Sequence, residues 1–369
     1  MATRRAALLT AAGVSAGTGL VLAGLASTAS ASTTPIPRTL ARRNTGLGRG
    51  VRIDSTEFRL SHLAIGWTGP VAPALRVRTT SGWADWQQAH ACHGGKDGTT
   101  ATQSWALLTV PGATGYELDA AGGTTNLSAT ELNTVDGPTR TTAAAPAAAV
   151  PLGTHPARHR YLSRGAWGAD ESLRYNPDGS LAWGPTQYFP TQTLTVHHTA
   201  GVNNDPDPAA TVRAIYYYDT VTQGWGDMGY HLLIDEAGSV YEGRWSGDDP
   251  IPVFGPTPGA DGQPLMVTGA HVQGYNSGNT GVVLLGDFTN QQPTPAARTA
   301  LTAVLAVLGA VTVLDPLGIT DYVNPVSGAT KTVDTISGHR DWAATQCPGN
   351  TFYPQLPSVR QDVARLLGH

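Results

Sequence analysis

Hydrophobic and polar positions alternate over short segments between residues 51 and 137, for example at 75–79 and 104–108. Turns rich in Gly, Pro and Asp separate these segments. Alternation with a period of two is typical of β-strands that bury one face. This region therefore predicts a small all-β sandwich, which we call the N-terminal domain.

The pattern changes after residue 160, where apolar strands alternate with amphipathic helices. We expect strands at 194–198, 232–234, 239–242 and 282–285. Asp207-Pro208 and Thr294-Pro295 are each followed by an apolar stripe with helical spacing, so each pair is predicted to begin a helix. Ser358 is predicted to cap a third helix. Strands that alternate with helices indicate an α/β layer structure for this C-terminal domain, which we expect to cover residues 160–369.

Three further segments are defined by their composition. In residues 1–31, two arginines precede an apolar stretch and an Ala-Ser-Ala cleavage site, which predicts a signal peptide and an exported protein. Residues 32–50 are expected to form a basic arm that solvent surrounds. Residues 138–159 are rich in Ala, Pro and Thr and are expected to form a partly extended linker between the two domains.

The overall composition argues against several classes of partner. The chain has 369 residues, a formal net charge of −4, and 44 Gly and 26 Pro residues. A slightly acidic chain has no general attraction for nucleic acid, so no nucleic-acid partner is expected. Beyond the signal peptide we see no apolar segment of membrane-spanning length, so we expect no stable membrane insertion. A monomer is expected.

One loop near the C-terminus holds the residues with the most specific chemistry. Cys347 follows His339 by eight residues, and a thiolate with an imidazole is a pair of ligands that Zn²⁺ favours. A third ligand is expected from the pair His197-His198. Because side chains alternate along a strand, His198 shares the apolar face and His197 the other, which makes His197 the better ligand. His198 would then pack on the apolar side or orient its neighbour. The alternative for both His197 and His198 is a buried histidine that is hydrogen-bonded and binds no metal.

A disulfide is the main alternative to a metal-binding Cys347. The chain has two cysteines, and an oxidising compartment favours their pairing. Cys92 lies in the other predicted domain, inside the run His90-Ala91-Cys92-His93, and a bridge would have to cross the linker. We therefore favour a Cys347 thiolate on zinc, and a surface loop for the histidines around Cys92.

Six ordered segments carry a resemblance to a known family. They are 167–172, 196–200, 229–231, 235–244, 269–276 and 338–349. Together they resemble the peptidoglycan recognition proteins and the related phage lysozyme-type N-acetylmuramoyl-L-alanine amidases, over roughly residues 160–368. The resemblance implies a secreted bacterial member with a mixed central β-sheet flanked by helices. It also implies an extracellular protein associated with the cell wall.

The resemblance assigns catalytic roles to single residues. The zinc ligands would be His197, His339 and Cys347, with an open position for water. Tyr230 would hydrogen-bond the attacked carbonyl or the oxyanion. Thr345 stands where phage members carry a lysine, and it can orient water or an oxyanion without supplying positive charge.

The same resemblance indicates a substrate side of the site. The residues expected there are His198, Gly224, Trp225, Arg244, His271 and Asn276. The Gly224-Trp225 pair accompanies a preference for diaminopimelic acid in the stem peptide, and Arg244 would grip its extra carboxylate. His271 and Asn276 match a wall segment that contacts sugar or peptide. Core packing for Trp225 and a surface ion pair for Arg244 are the alternatives.

The resemblance therefore implies a zinc amidase that cleaves the bond between the lactyl group of N-acetylmuramic acid and L-alanine in peptidoglycan. Two alternatives stay open: a module that binds peptidoglycan without cutting it, and a cysteine peptidase with Cys347 as nucleophile. The general base is not assigned. Four carboxylates are candidates beside a metal-bound hydroxide, namely Glu171, Asp227, Glu242 and Asp341.

Overall fold

The computed structural model describes most of the chain. The described residues are 32–91, 94–99, 103–120, 122–144, 148–151, 158–249 and 251–369. The predicted signal peptide, Cys92 and His93 lie outside them.

The N-terminal domain (residues 32–144) is built from β-strands. They are β1 (Ser32–Pro37), β2 (Leu40–Leu47), β3 (Val51–Ile53), β4 (Leu60–Thr68), β5 (Ala74–Thr79), β6 (Gly82–Trp83), β7 (Gln87–Gln88), β8 (Ser104–Ala113), β9 (Gly115–Asp119), β10 (Thr125–Asn133) and β11 (Thr139–Ala144). One sheet has the order β2-β10-β4-β8, and a second has β3-β9-β5-β6 with β7 beside β5. Their facing side chains, among them Leu63, Ile65, Trp67, Tyr116 and Leu118, form a buried core.

The C-terminal domain contains the remaining strands. They are β12 (Ala148–Pro151), β13 (Arg158–Leu162), β14 (Tyr188–Pro190), β15 (Thr193–His198), β16 (Leu232–Ile234), β17 (Val240–Glu242), β18 (Leu265–Val267), β19 (Asn279–Leu284), β20 (Ile319–Val323), β21 (Thr330–Asp334) and β22 (Ile336–Gly338). The central sheet has the order β12-β13-β17-β16-β19-β15-β22. It is mixed, because β15 runs parallel to β19 and β22 whereas β16 and β17 form an antiparallel hairpin.

Helices cover both faces of this sheet. They are α1 (Arg164–Trp167), α2 (Pro208–Tyr217), α3 (Pro295–Thr312) and α4 (Leu356–Leu367). α2 and α3 begin where predicted. In the structure the side chain of Asp207 accepts from Ala210 N at the start of α2, and that of Thr294 accepts from Ala297 N at the start of α3. One core contains apolar side chains of α3 and α4, and a separate core those of α2. The predicted α/β class, a mixed central sheet flanked by helices, is confirmed.

Two sequence-based expectations about helices are wrong. Ser358 does not cap α4, which begins two residues earlier at Leu356; Ser358 Oγ instead donates back to Gln355 O. The expectation that no second segment reaches membrane-spanning length fails for α3, whose 18 residues are long and apolar enough by length and composition. In the structure 61% of that helix is buried, because it packs between the sheet and α4.

The structure differs from the expected arm and linker. Residues 32–47 are not an arm, because β1 pairs with β11 and β2 pairs with β10. Within residues 138–159, β11 belongs to the N-terminal domain, while β12 pairs with β13 in the central sheet of the C-terminal domain. The expected arm and linker rested on amino-acid composition alone. Composition does not show which neighbouring strand pairs with the backbone N–H and C=O groups of a segment.

The two domains share a buried polar contact on α2. His62 Nε2 lies 3.0 Å from Thr211 Oγ1, and Thr134 Oγ1 donates to Ala210 O at 2.9 Å. Arg213 donates from Nη2 to Thr134 O at 3.0 Å. This contact explains why β4 is buried on both faces, since one face meets its own core and the other meets α2. The N-terminal domain is therefore docked against the C-terminal domain.

Candidate metal centre and cleft

The topology of the central sheet brings two histidines together. His197 lies at the end of β15, and His339 directly follows β22. These strands are parallel, with Val196 opposite Gly338, so their carboxyl ends meet at one edge of the sheet. The loop after His339 returns to this edge, where Arg340 N donates to Cys347 O at 3.0 Å.

His197, His339 and Cys347 form a compact group of possible metal ligands. Their ligand atoms all lie within 4.8 Å of one another, and all three residues are buried. Cys347 Sγ is 3.7 Å from His197 Nδ1. Tetrahedral zinc with bonds of about 2.3 Å to sulfur and about 2.05 Å to nitrogen would separate those two atoms by about 3.6 Å. The donor types and this distance therefore fit Zn²⁺.

A chain of hydrogen bonds fixes the tautomer of His197. His271 Nε2 lies 2.9 Å from Asn279 O, which can only accept, so Nε2 carries the proton and Nδ1 is an acceptor. His197 Nε2 lies 2.9 Å from that Nδ1 and must donate to it. The remaining nitrogen of His197, Nδ1, then holds a lone pair directed to the side of Cys347. His271 thus orients His197 so that its Nδ1 faces the sulfur of Cys347.

Burial keeps these imidazoles neutral. It lowers the pKa of His197 well below its usual value, with smaller contributions from the neighbouring histidines. Burial likewise lowers the pKa of His271 to about 4. A metal binds the neutral form of histidine, so the chain holds both rings in the protonation state that a metal centre requires.

The sulfur of Cys347 lies beside a backbone donor. His198 N donates to Sγ at 3.3 Å, an interaction that favours the thiolate. The ring of His198 turns away from the three-residue group, and its Nδ1 accepts from Phe288 N at 3.2 Å. Burial lowers the pKa of His198 to about 4. The structure therefore separates the two neighbouring histidines in the way that strand alternation predicts.

A cleft opens above the three-residue group. Its cavity of about 410 Å³ is lined by His198, Tyr230, His339, Thr345 and Cys347, together with 89–91 of the N-terminal domain. The ring of Tyr230 lies 5.2 Å from that of His197. Thr345 Oγ1 accepts from Cys347 N at 3.2 Å, so this side chain is held against the loop. Tyr230 and Thr345 are thus placed beside the possible metal position.

Gly224, Trp225 and Arg244 do not line this cavity, whereas Trp225 lines a neighbouring one together with Tyr230 and Gly94. Gly224 is exposed and has φ +66°, a conformation that glycine adopts without strain. Arg244 is not the surface ion pair that we considered. It is buried, donates to Met228 O at 3.0 Å, and stacks 3.9 Å from the centroid of the Trp183 ring. Burial lowers its pKa to about 10.

Two residues expected on the substrate side do not line the cleft. His271 is only 2% exposed and lies behind His197, in space left by Gly281, where a Cβ would approach the ring to 2.5 Å. Asn276 has no exposed surface, and its side-chain amide donates to Gly95 O and Asp97 Oδ1 of the N-terminal domain. In the described conformation neither residue faces the cleft, because the polar atoms of both side chains already bond within the protein.

The four candidate carboxylates are engaged elsewhere. Glu171 and Asp227 both pair with Arg164, at 2.7 and 2.9 Å, and Glu242 Oε2 accepts from Arg164 N at 3.0 Å. Asp341 accepts from Gly338 N at 2.7 Å. Sequence reasoning missed Arg164 as the centre of this network, and it missed the contact of residues 89–91 and 94–99 with the C-terminal domain. No local pattern reports such long-range contacts.

The chain was compared with known proteins. Residues 187–350 match a family model described as N-acetylmuramoyl-L-alanine amidase. A human N-acetylmuramoyl-L-alanine amidase is 31% identical over 191 residues, which are 47% of this chain and 26% of the human protein. The Drosophila melanogaster peptidoglycan-recognition protein LB is 26% identical over 211 residues, or 56% of this chain and 72% of that protein.

This chain also matches a solved structure of wild-type Drosophila PGRP-LB. The match covers 54% of this chain and 94% of the PGRP-LB chain, with 25% sequence identity and a TM-score of 0.39. At that score the structural similarity adds no weight to the family assignment. The chain spans about a quarter of the human relative's length. Residues 187–350, which include the whole His–His–Cys group, belong to the N-acetylmuramoyl-L-alanine amidase family.

Proposed function

We propose that the C-terminal domain is a zinc-dependent N-acetylmuramoyl-L-alanine amidase. It would hydrolyse the amide bond between the lactyl group of N-acetylmuramic acid and L-alanine in peptidoglycan. The observation that carries this proposal is the buried group of His197, His339 and Cys347, whose ligand atoms lie within 4.8 Å of one another. The family match over the same residues supports it.

The chain's own residues would hold the metal and prepare it for reaction. His197, His339 and Cys347 supply three ligands, and His271 keeps His197 in the correct tautomer. When bound in such a site, zinc lowers the pKa of a water molecule to about 7 and polarises a carbonyl oxygen. Two neutral imidazoles and one thiolate leave the site with a net positive charge, which suits a reaction that builds negative charge on oxygen.

Tyr230 would stabilise that charge. Its ring is half-buried at the cleft wall, 5.2 Å from the His197 ring. A phenol is a hydrogen-bond donor, and its bond to the carbonyl oxygen strengthens as the oxygen becomes an anion. Loss of one such donor typically costs about 10²–10³ in rate. Thr345, fixed by its bond to Cys347 N, would orient the water or the leaving group from the opposite loop.

Binding without hydrolysis is the second candidate function, because several relatives are named peptidoglycan-recognition proteins. A pure binding module has no need for three convergent metal ligands, so the ligand group favours hydrolysis. A cysteine peptidase is the third candidate, since Cys347 Sγ lies 3.7 Å from His197 Nδ1. A cysteine peptidase would explain neither the presence of His339 in the group nor the distance between Cys347 Sγ and His197 Nδ1, which fits zinc.

We further propose that the protein acts outside the cytoplasm on cell-wall peptidoglycan, as a monomer. The sequence pattern of a signal peptide in residues 1–31 supports export. The name of the matched amidase family supports peptidoglycan as the substrate. Recovery of the protein from the cell pellet with its N-terminus intact, rather than from the medium or wall fraction, would argue against export.

Mass spectrometry of a purified muramyl peptide tests the proposed activity. The protein is incubated with substrate in the presence of zinc, after chelation, and after zinc is restored. Release of a free peptide that begins with L-alanine, lost on chelation and regained with zinc, is the expected result. Cleavage that survives chelation would indicate a Cys347 nucleophile, and substrate that is bound but intact under all conditions would indicate a recognition protein.

A further inference from the structure

A segment of the N-terminal domain lies against Trp225, which the resemblance assigns to the peptide side of the cleft. We call residues 94–99 the crossing segment; it follows 89–91, which line the cavity above the metal ligands. Gly95 N donates to Ala270 O at 3.0 Å, and Gln273 Nε2 donates to Thr99 O at 2.6 Å. The crossing segment therefore makes contact with the C-terminal domain along its length.

Asp97 is the anchor of this segment. Its carboxylate accepts five hydrogen bonds from the C-terminal domain: from Asn276 N (3.0 Å) and Nδ2 (2.7 Å), from Ser277 N (3.1 Å) and Oγ (3.0 Å), and from Asn324 Nδ2 (2.8 Å). Asn276, Ser277 and Asn324 have no exposed surface. Two backbone N–H groups and three side-chain donors that converge on one point form a site for a carboxylate.

The flanks of Asp97 cover the residues expected to meet the stem peptide. Gly94 packs so closely that a Cβ there would lie 2.8 Å from Ala270 O and 2.9 Å from the Trp225 ring. Lys96 Nζ lies 4.3 Å from the centroid of the Trp183 ring, the same ring on which Arg244 stacks. The side-chain amide of Asn276 donates to Gly95 O and to Asp97 Oδ1. A peptide therefore cannot reach Asn276 while the segment is in place.

We propose that Asp97 latches the crossing segment over the peptide side of the cleft, so that the described conformation is closed. A carboxylate of an incoming stem peptide would compete with Asp97 for its five hydrogen-bond donors and so open the segment. The identity of that peptide rests on the proposed function, whereas the closure rests on the contacts alone. Stem peptides carry free carboxylates on their glutamate and diaminopimelate residues, so the substrate has the chemistry that the site accepts.

Asp97→Asn is the most direct test. Asparagine keeps the shape, but its amide NH₂ would face donors, so the five-bond arrangement cannot form. One hydrogen bond to a charged group already shifts an equilibrium about tenfold or more, and we expect initial hydrolysis of a soluble muramyl peptide to rise by at least about tenfold. Asp119→Asn, an exposed carboxylate of the same domain, is the matched control and should leave the rate unchanged.

Hydrogen exchange supplies a readout that needs no catalysis. In the full-length wild-type protein the amides of Gly95, Asn276 and Ser277 are bonded and should be protected. Asp97→Asn should speed exchange at all three amides. The tripeptide L-alanyl-γ-D-glutamyl-diaminopimelate, which lacks the scissile bond, should speed exchange at Gly95 while its own carboxylate keeps Asn276 and Ser277 protected. Faster exchange in Asp97→Asn without any hydrolysis by either protein would keep the latch and overturn the amidase.

A second variant guards against misfolding of the first. Gly94→Ala would push the segment away from Trp225 and Ala270 while Asp97 is retained, with Gly122→Ala, which has open space around it, as its control. Both Gly94→Ala and Asp97→Asn should raise the rate and the exchange at 94–99. Hydrolysis that is unchanged or slower in both variants, with unchanged exchange, would overturn the latch and leave the amidase proposal intact.

Discussion

Replacing His271 tests whether this buried side chain prepares a metal ligand. Its Nδ1 accepts from His197 Nε2 at 2.9 Å, and its Nε2 donates to Asn279 O at 2.9 Å. In His271→Ala the His197 ring loses the partner that fixes its tautomer. Loss of such a partner typically weakens metal binding about 10–100-fold, equivalent to about 1.4–2.7 kcal/mol.

The control is a second buried histidine nearby. His231 accepts from Gly281 N at 2.9 Å and lies 2.7 Å from Val267 O, but it bonds no proposed metal ligand. His231→Ala removes a ring of equal size and two hydrogen bonds, so both variants should unfold at lower urea concentrations than the wild type. Only His271→Ala should lose zinc affinity.

The assay is a competition between the metal-free protein and a chromophoric chelator for zinc at neutral pH. His271→Asn should recover part of the affinity, because its amide oxygen can accept from His197 Nε2 in place of the ring nitrogen. Wild-type affinity in His271→Ala, or an equal loss in His231→Ala, would refute the role assigned to His271.

Three further predictions follow from single residues. Tyr230→Phe should lower kcat about 10²–10³-fold while zinc affinity stays unchanged, and a variant that hydrolyses muramyl peptide at the full rate would remove Tyr230 from the reaction. Cys347→Ser should lower zinc affinity measurably in the same chelator competition, which a purely nucleophilic cysteine would not do. Burial, and to a smaller extent the charge of Arg213, lowers the pKa of His62 from 6.5 to about 3. Between pH 3 and pH 6.5 the folded state therefore binds fewer protons than the unfolded state, so the stability of the protein falls as the pH falls below 6.5. At pH 5 this amounts to about 2 kcal/mol, and His62→Gln should lose less stability between pH 7.5 and pH 5 than the wild type in urea unfolding; an equal loss would contradict the assignment.

Local chemistry in the sequence predicted that His197, His339 and Cys347 would lie together, as they do in the structure. His339 and Cys347 lie on one loop, and strand alternation distinguished His197 from His198 before any contact was known. The helix starts at Asp207-Pro208 and Thr294-Pro295 are predictable for the same reason, since the start signal and its helix are neighbours in the chain. These features depend on residues that are close in sequence.

Contacts between distant residues were not predictable in this way. His271 was assigned to a wall of the cleft, but its role behind His197 depends on a pairing across 74 residues and on the space beside Gly281. Asp97 and Asn276 lie 179 residues apart and in different domains. No periodicity or spacing reports that a loop of one domain supplies a carboxylate to the other.

The most direct test of the central claim is a zinc titration of the metal-free protein during hydrolysis of a muramyl peptide. The account predicts no release of L-alanyl peptide without metal, and a rate that rises in proportion to zinc until one ion per chain is bound. Full activity in the rigorously metal-free protein, or none at any zinc concentration with substrate bound, would contradict it.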